Sequence, residues 1–391
     1  MAHLNEKKGK LALISGHVAG LIFLVCLPLW INALTAGYHY SPAKAGALPT
    51  LFLIGAVIAS LTISSRFHKV GGRILAPVSF WFAALTFYGF TSIEIYPVQL
   101  ILHFVGGLAA GTGVSVVHGM MGRTSNAHGI FAAAGLGLGI FSILMLAGVP
   151  QLTSHLGPVW FFYAFSGVMG FAALIMTFFM PEKPIEKQAQ TSIKDIPSAV
   201  WYAILGLMGM GFIQNMVFSF LVEVGHARGF AASRIEVVLI VLGFVNLFPP
   251  ILAAVLQHKL PPMKVAQTGS VLMGLIGAVI FIADDFWVYA IPTTFFVAVM
   301  IFCHTFIFGF MAQQDPSGRS VSATPAILMS GSALSPIFAG ILVQFIGYSA
   351  ISVASILIVL FSVSMFSAAE KRARTAPSEQ PVMAETSPRQ F

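Results

Sequence analysis

Long apolar segments follow one another along almost the whole chain, with short polar stretches between them. Most of these segments contain about 20 predominantly apolar residues, which is the length that an α-helix needs to cross the hydrocarbon core of a bilayer. The alternation of polar and apolar residues that a transmembrane β-barrel requires is absent from them. The pattern therefore predicts an all-α membrane protein with twelve spans, at residues 11–34, 45–64, 75–93, 97–120, 129–149, 157–180, 200–223, 235–256, 264–282, 287–311, 326–346 and 350–369.

The composition supports this class, because 57% of the 391 residues are hydrophobic and only 8% are charged. The distribution of charge predicts the orientation. With the N-terminus in the cytoplasm, three of the 20 Lys and Arg residues lie outside and the other 17 inside; the three are Lys44, Arg228 and Arg234. This asymmetry follows the positive-inside rule. We therefore expect a multi-pass protein of the cell (inner) membrane with both termini in the cytoplasm, and no nucleic-acid partner.

Two short sequences recur at corresponding places in the two halves of the chain. "GRTSNA" at 122–127 follows span four and "GRSVSA" at 318–323 follows span ten, while "FHKVGG" at 67–72 and "QHKLPP" at 257–262 follow spans two and eight. These repeats indicate that one six-helix unit occurs twice. The expected divisions are a cytoplasmic segment at 1–10, an N-terminal bundle at 11–180, a cytoplasmic linker at 181–199, a C-terminal bundle at 200–369 and a disordered cytoplasmic tail at 370–391.

Two parallel six-span repeats are the architecture of major facilitator superfamily (MFS) carriers, and the chain resembles that superfamily over residues 10–370. "SSRFHKVGGR", between spans two and three, resembles the superfamily's loop motif, with His68 in place of its Asp. "HFVGGLAAG", in span four, resembles a glycine motif, with His103 in place of its Arg. Span five lacks the Gly-Pro motif of proton-driven exporters. The resemblance implies the MFS fold, as two pseudo-symmetric six-helix bundles, and leaves the subfamily unassigned.

Ionisable side chains inside a span are costly and therefore indicate function. No Asp, Glu, Lys or Arg lies in the middle of any predicted span, and three carboxylates stand at outer ends: Glu94, Glu223 and Glu236. Histidines lie within spans one, four and ten: His17, His103, His118 and His304. By the resemblance, these spans line a central cavity together with span seven. Imidazole titrates near neutral pH, so a histidine here could bind a proton or a weakly acidic solute.

His103 is the candidate for proton coupling, because it occupies the arginine position of the resemblance and lies within reach of a central site. For His17 and His118 we expect packing and a hydrogen bond to a neighbouring helix, and for His304 both interpretations stay open. Gln214 and Asn215 point about 100° apart on span seven, so at most one faces the cavity squarely. The predicted solute-binding residues are His103, Gln214, Asn215, His304, Trp30, Phe218 and Met300.

A cytoplasmic gate is predicted at the loops that carry basic residues, where arginines would hold helix C-termini or acidic loop groups. Its candidate residues are His68, Gly71, Arg73, Arg123 and Arg319. Glycines predict close helix approach in spans four, five and eleven, at Gly106, Gly107, Gly111, Gly113, Gly135, Gly139, Gly331 and Gly340. No metal site, cofactor or enzymatic activity is expected, because the histidines lack i, i+4 or carboxylate partners in the sequence.

These features together predict a secondary active transporter that moves a small neutral or weakly acidic organic solute by alternating access. Proton coupling through His103, as in a symporter, is a further hypothesis. The expected partners are the solute, protons and the lipid bilayer, with the protein as a monomer. A multidrug or metabolite efflux antiporter is the alternative within the same class. A membrane sensor that binds a ligand without translocating it is the alternative from a different class.

Overall fold

The computed structural model describes residues 6–67, 72–182, 196–315 and 329–375, and over those residues it contains helices and no strands. The helices are α1 Lys7–Asn32, α2 Pro42–Arg66, α3 Gly72–Phe90, α4 Tyr96–Met121, α5 Ala127–Leu156, α6 Val159–Phe179, α7 Ser198–Ser219, α8 Leu221–Ala227, α9 Ala232–Val245, α10 Pro249–Leu256, α11 Pro262–Ile282, α12 Phe286–Gln314, α13 Ser335–Phe345 and α14 Ser349–Thr375. The all-α prediction is confirmed.

The apolar helical segments, some of which consist of two helices, match the predicted spans in number and order. Among the described residues, eleven helical segments are long and apolar enough to cross a membrane, and Met329–Phe345 forms a shorter apolar one where span eleven was predicted. Most segments are longer than predicted; α5, for example, continues to Leu156. The last helix, α14, continues to Thr375, so residues 370–375 of the expected tail are helical.

Four spans are interrupted. The first ends in a π-helical turn, Ala33–Gly37, and the seventh breaks at Phe220 between α7 and α8. The eighth breaks between α9 and α10, where Pro249 and Pro250 follow. Proline lacks the N–H that a continuous helix needs, so the eighth interruption follows directly from the sequence. In the eleventh span, a turn at residues 333–334 interrupts the helix just before α13 begins.

The two halves of the chain pack in the same pattern. In the first half, α3 packs on α4 and α6; in the second half, α11 packs correspondingly on α12 and α14. Close approach depends on glycine in both. A side chain at Gly107 would overlap the backbone of Phe52 on α2, and one at Gly206 would overlap the ring of Phe366 on α14. This correspondence gives the two six-helix bundles, N-terminal and C-terminal.

Because successive spans run in opposite directions, their connections lie at two faces. We name the face that carries the start of α1 and the end of α14 the terminal face. The opposite face carries the connections at 38–41, 91–95, 157–158, 228–231, 283–285 and 346–348, and we name it the distal face.

Candidate functional site between the two bundles

The bundles meet most extensively along two helix pairs, and the first pair is α2 with α13. Glycine brings the backbones together, since a side chain at Gly340 would overlap the carbonyl of Pro42. Two hydrogen bonds cross this junction. The Ala43 N–H donates to Gln344 Oε1 (3.2 Å), and the Ile337 N–H donates to Thr50 Oγ1 (3.0 Å). All of these contacts lie in the half of α2 that is nearer the distal face.

The second pair is α5 with α9. Gln151 Nε2 donates to Glu236 Oε2 (2.7 Å) close to the distal face. Nearer the middle of the helices, Gly243 packs against Ile143. The two junctions therefore hold the bundles together across the distal half of the molecule.

Helix α7 shows how the junction changes with depth. It lies between the segment Met329–Phe345, whose Ser332 hydroxyl donates to the Gly211 carbonyl (3.3 Å), and α14, which contacts it at Gly206. On the face between those two contacts, Trp201 and Leu205 near the terminal face are 44% and 39% exposed. Met216 and Ser219 continue that face towards the distal end and are 0% exposed, where α1 packs on α7 and α8. This face of α7 is therefore covered by α1 near the distal face and uncovered near the terminal face.

His103 and Trp30 lie together inside the N-terminal bundle. Their ring centroids are 5.4 Å apart, and Phe90 on α3 lies 4.9 Å from the His103 ring. His103 Nδ1 contacts the Gln99 carbonyl at 2.8 Å. His103 Nε2 and Trp30 Nε1 are buried and have no hydrogen-bond partner among the described residues. Phenylalanines of α2, α3 and α6 complete this aromatic core: Phe52, Phe87, Phe161, Phe162 and Phe165.

The other predicted solute contacts lie in the C-terminal bundle, apart from His103. Gln214 is nine residues after Leu205, so at 100° per residue it points to the opposite side of α7, into the bundle. Asn215 is buried, and its Nδ2 has no hydrogen-bond partner among the described residues. His304 Nδ1 contacts the Met300 carbonyl at 3.0 Å. Phe218 and Met300 are buried. The structure thus brings these residues into two separate groups, and their solute-binding roles stay predictions.

His17 and His118 form a pair that the sequence did not predict. His17 Nδ1 lies 2.9 Å from His118 Nε2, which joins α1 to α4 in the half nearer the terminal face. The bond between these two rings replaces the separate bonds to neighbouring helices that we expected. His118 also packs edge-on against Phe131 of α5, with ring centroids 5.6 Å apart.

Two of the predicted gate residues, Arg73 and Arg123, lie at the terminal face. Arg123 Nη1 donates to the Gly119 carbonyl (2.8 Å), at the C-terminal end of α4. Arg73 pairs with Glu182 at 2.8 Å. Arg123 thus contacts a helix C-terminus and Arg73 an acidic residue beyond α6, and the gate role of both stays a prediction. His68, Gly71 and Arg319 lie outside the described residues.

Sequence reasoning gave no role to the polar residues of α1 and α8 near the distal face. A pocket of ≈ 480 Å³ opens there between α1, α5, α8 and α9, and its polar lining includes Asn32, His39, Thr153, Ser154, His226 and Glu236. Asn32 Oδ1 and Glu223 Oε1 are both buried without a hydrogen-bond partner among the described residues. The signal in the sequence is the position of Glu223 near the end of an apolar segment. By itself, that position indicates only a carboxylate at the outer end of a span.

Solved structures with a similar fold include three transporters. The nucleoside transporter NupG is 14% identical, with a TM-score of 0.68 over 94% of this chain and 100% of that chain. The human organic anion transporter MFSD10 (TETRAN) is 14% identical, with a TM-score of 0.65 over 92% of this chain and 99% of that chain. A bacterial homologue of the human lysosomal transporter Spinster, in an inward-facing and occupied conformation, is 13% identical. Its TM-score is 0.64 over 94% of this chain and 96% of that chain.

No curated protein matches the sequence significantly. The sequence model of the Major Facilitator Superfamily matches residues 12–324, which is most of the chain. The predicted fold and the resemblance are therefore confirmed: this multi-pass membrane protein belongs to the major facilitator superfamily.

Proposed function

We propose that the protein is a secondary transporter that moves a small organic solute by alternating access between its two bundles. The observation that carries this proposal is the change along one face of α7, from exposed at Leu205 to fully buried at Met216. A junction that is closed at one face and divergent at the other corresponds to one of the two states that alternating access requires. Opening the distal junctions while the terminal side closes would give the other state.

The solute class rests on the charges of this chain, because proteins 14% identical share the fold alone. The exposed face of α7 presents apolar residues such as Trp201 and Leu205, and no Asp, Glu, Lys or Arg lies in the middle of a predicted span. A strongly charged solute would need a fixed counter-charge at depth. The proposed solute is therefore neutral or weakly acidic and has apolar surface.

The orientation and the gate are part of the same proposal. The basic residues near the terminal face favour a cytoplasmic location for it, so the state described here opens to the cytoplasm. Arg73 and Arg123 would stabilise the helix ends that meet when the cytoplasmic side closes. The protein would work as a monomer in the cell (inner) membrane. Proton coupling through His103 remains a prediction, since His103 lies inside the N-terminal bundle.

The experiment begins with thermal-shift screening of the purified protein against a metabolite panel at two pH values. The stabilising solute is then followed in proteoliposomes by counterflow. Gln151 and Glu236 are joined across the bundles by a hydrogen bond of 2.7 Å, so cysteines at both positions can be bridged by a short bifunctional reagent. Because Cys26 and Cys303 are buried, they leave the background reaction low.

Bridging Gln151→Cys/Glu236→Cys should abolish counterflow, and cleaving the bridge should restore it, because the distal junction must open in each cycle. The two single-cysteine variants, treated in the same way, should retain transport. Unchanged counterflow with the bridge in place would contradict alternating access at this junction. Binding of a solute without counterflow by the wild-type protein would instead favour a sensor.

A further inference from the structure

The distal seam is the contact of α1 with α8, and it contains a carboxyl group without a counter-charge. Glu223 lies on α8, four residues before Ala227, which is about 6 Å of helical rise. None of the ion pairs among the described residues includes Glu223, and its Oε1 is buried without a hydrogen-bond partner there. A carboxylate buried in this way is costly unless a positive charge or a proton neutralises it.

Two side chains at the distal end of the first span, Thr35 and Asn32, offer hydrogen-bond acceptors at the seam. The Thr35 hydroxyl, in the π-helical turn that follows α1, lies beside the Glu223 carboxyl. The single hydroxyl proton of Thr35 is directed to the Ile31 carbonyl oxygen, 3.0 Å away. Because that hydroxyl donates to a backbone carbonyl, its oxygen has a lone pair that can accept a hydrogen bond from a protonated Glu223 carboxyl. One turn earlier on α1, Asn32 Oδ1 is a second buried acceptor without a partner among the described residues.

The remaining titratable groups near the seam do not supply a positive charge. Burial raises the pKa of Tyr348 to about 12, so this phenol stays neutral. The Tyr289 hydroxyl donates to the Leu221 carbonyl (2.9 Å). The two nearby arginines are engaged elsewhere: Arg228 with Asp284, and Arg234 over the Phe286 ring. His39, His226 and Glu236 line the adjacent pocket, and the two histidines are the rival groups that could carry a positive charge.

We propose that Glu223 is a proton-binding site of the distal seam, protonated while the seam is closed and ionised once the seam opens. The carboxylic O–H donates to Thr35 Oγ1 in the closed state. When α1 and α8 separate, water solvates the carboxylate and the proton leaves to the distal side. This inference rests on the proposed transport function, because it assigns the proton to a step of that cycle.

The sign of the pH effect follows from linkage. The closed seam binds the proton more tightly than the open seam, so low pH favours closure and high pH favours opening. With one proton involved, the ratio of open to closed protein rises by at most about tenfold per pH unit. A binding site of this kind would let the distal proton concentration bias which face of the transporter is open.

The test measures the width of the distal face directly. Spin labels on His155→Cys and Ser233→Cys report the distance between the distal ends of α5 and α9 in the full-length protein in nanodiscs. In the wild-type background, the long-distance population should grow from acidic to alkaline pH. Glu223→Gln, a neutral isostere that keeps the packing, should hold the short distance at every pH. Glu223→Asp retains a titratable carboxyl and should restore a pH response.

Three controls decide between sources of the response. Glu94→Gln removes an exposed carboxylate on the same face and should behave as the wild type. His226→Gln should also retain the response; a response lost in His226→Gln and kept in Glu223→Gln would overturn the proposal. A distance that follows sodium concentration at fixed pH would overturn it as well. The distance needs no solute, so a failure of transport itself would appear only in the counterflow assay.

Discussion

Two of the regions that bury polar atoms without partners among the described residues differ in where they lie. The aromatic core encloses His103 Nε2 and Trp30 Nε1 within the N-terminal bundle. The distal seam encloses Glu223 Oε1 and Asn32 Oδ1, where the two bundles meet. Inside a bundle, a side chain keeps the same neighbours in every state of a rocking transporter, whereas at a seam its neighbours change. Burial in the core therefore acts on stability, and burial at the seam acts on the conformational equilibrium.

The largest expected effect is on the core. Trp30→Ala removes a ring that packs within 5.5 Å of Phe52, Phe87 and Phe165 (centroid distances). Large-to-small changes of buried aromatic residues cost about 3–5 kcal/mol, so we expect a large loss of thermal stability in detergent, measured by thermal unfolding. Trp287→Ala, at an exposed tryptophan, is the matched control and should unfold close to the wild type. Equal losses of thermal stability in the two variants would contradict the view that burial in the aromatic core acts on stability.

The second largest effect is expected at the junction of α2 with α13. Gly340→Leu places a side chain against the Pro42 backbone at the junction of α2 and α13. We expect the variant to fold normally and to open at the distal face, with the open-to-closed ratio raised about tenfold, which corresponds to about 1.4 kcal/mol. The label pair at His155 and Ser233 measures this ratio. Gly148→Leu, where a Cβ meets nothing within 4 Å, should leave it unchanged. A distal face that stays closed in Gly340→Leu would count against this junction as a gate.

The smallest effect on the width of the distal face is expected from His103→Gln. The rings around His103 all belong to the N-terminal bundle, so the distal distances and their pH response should stay within about twofold of the wild type, below 0.5 kcal/mol. Transport against pH then tests the predicted proton coupling. A profile flattened by this variant would support coupling through His103, and a profile like that of the wild type would remove that hypothesis.

Much of the fold was predictable, because span length and charge asymmetry are local properties of the sequence. The recurring apolar segments predicted the membrane helices, and the repeated loop sequences predicted two equivalent bundles. The contact of Arg123 with the end of α4 also follows from a position just after an apolar segment. The break before α10 could be read from Pro249 and Pro250.

The site was less predictable, because these helices are apolar on nearly all sides. An amphipathic helix reveals which face is buried, but α4 offers no such contrast, so the sequence could place His103 in span four without showing that it faces α3. The pairing of His17 with His118 depends on the rotation of two helices at once. Glu223 illustrates the same difficulty, since its position in the sequence is that of an ordinary outer-end carboxylate.

The sequence by itself determined the membrane class, the order of the spans and the two-bundle plan, because each depends on runs of residues that are contiguous in the chain. Only the tertiary structure decided which face of each helix meets another, where the two bundles touch and which polar atoms that contact deprives of water. Those outcomes depend on helix rotation and on the conformational state, and both are set by contacts between residues far apart in the chain.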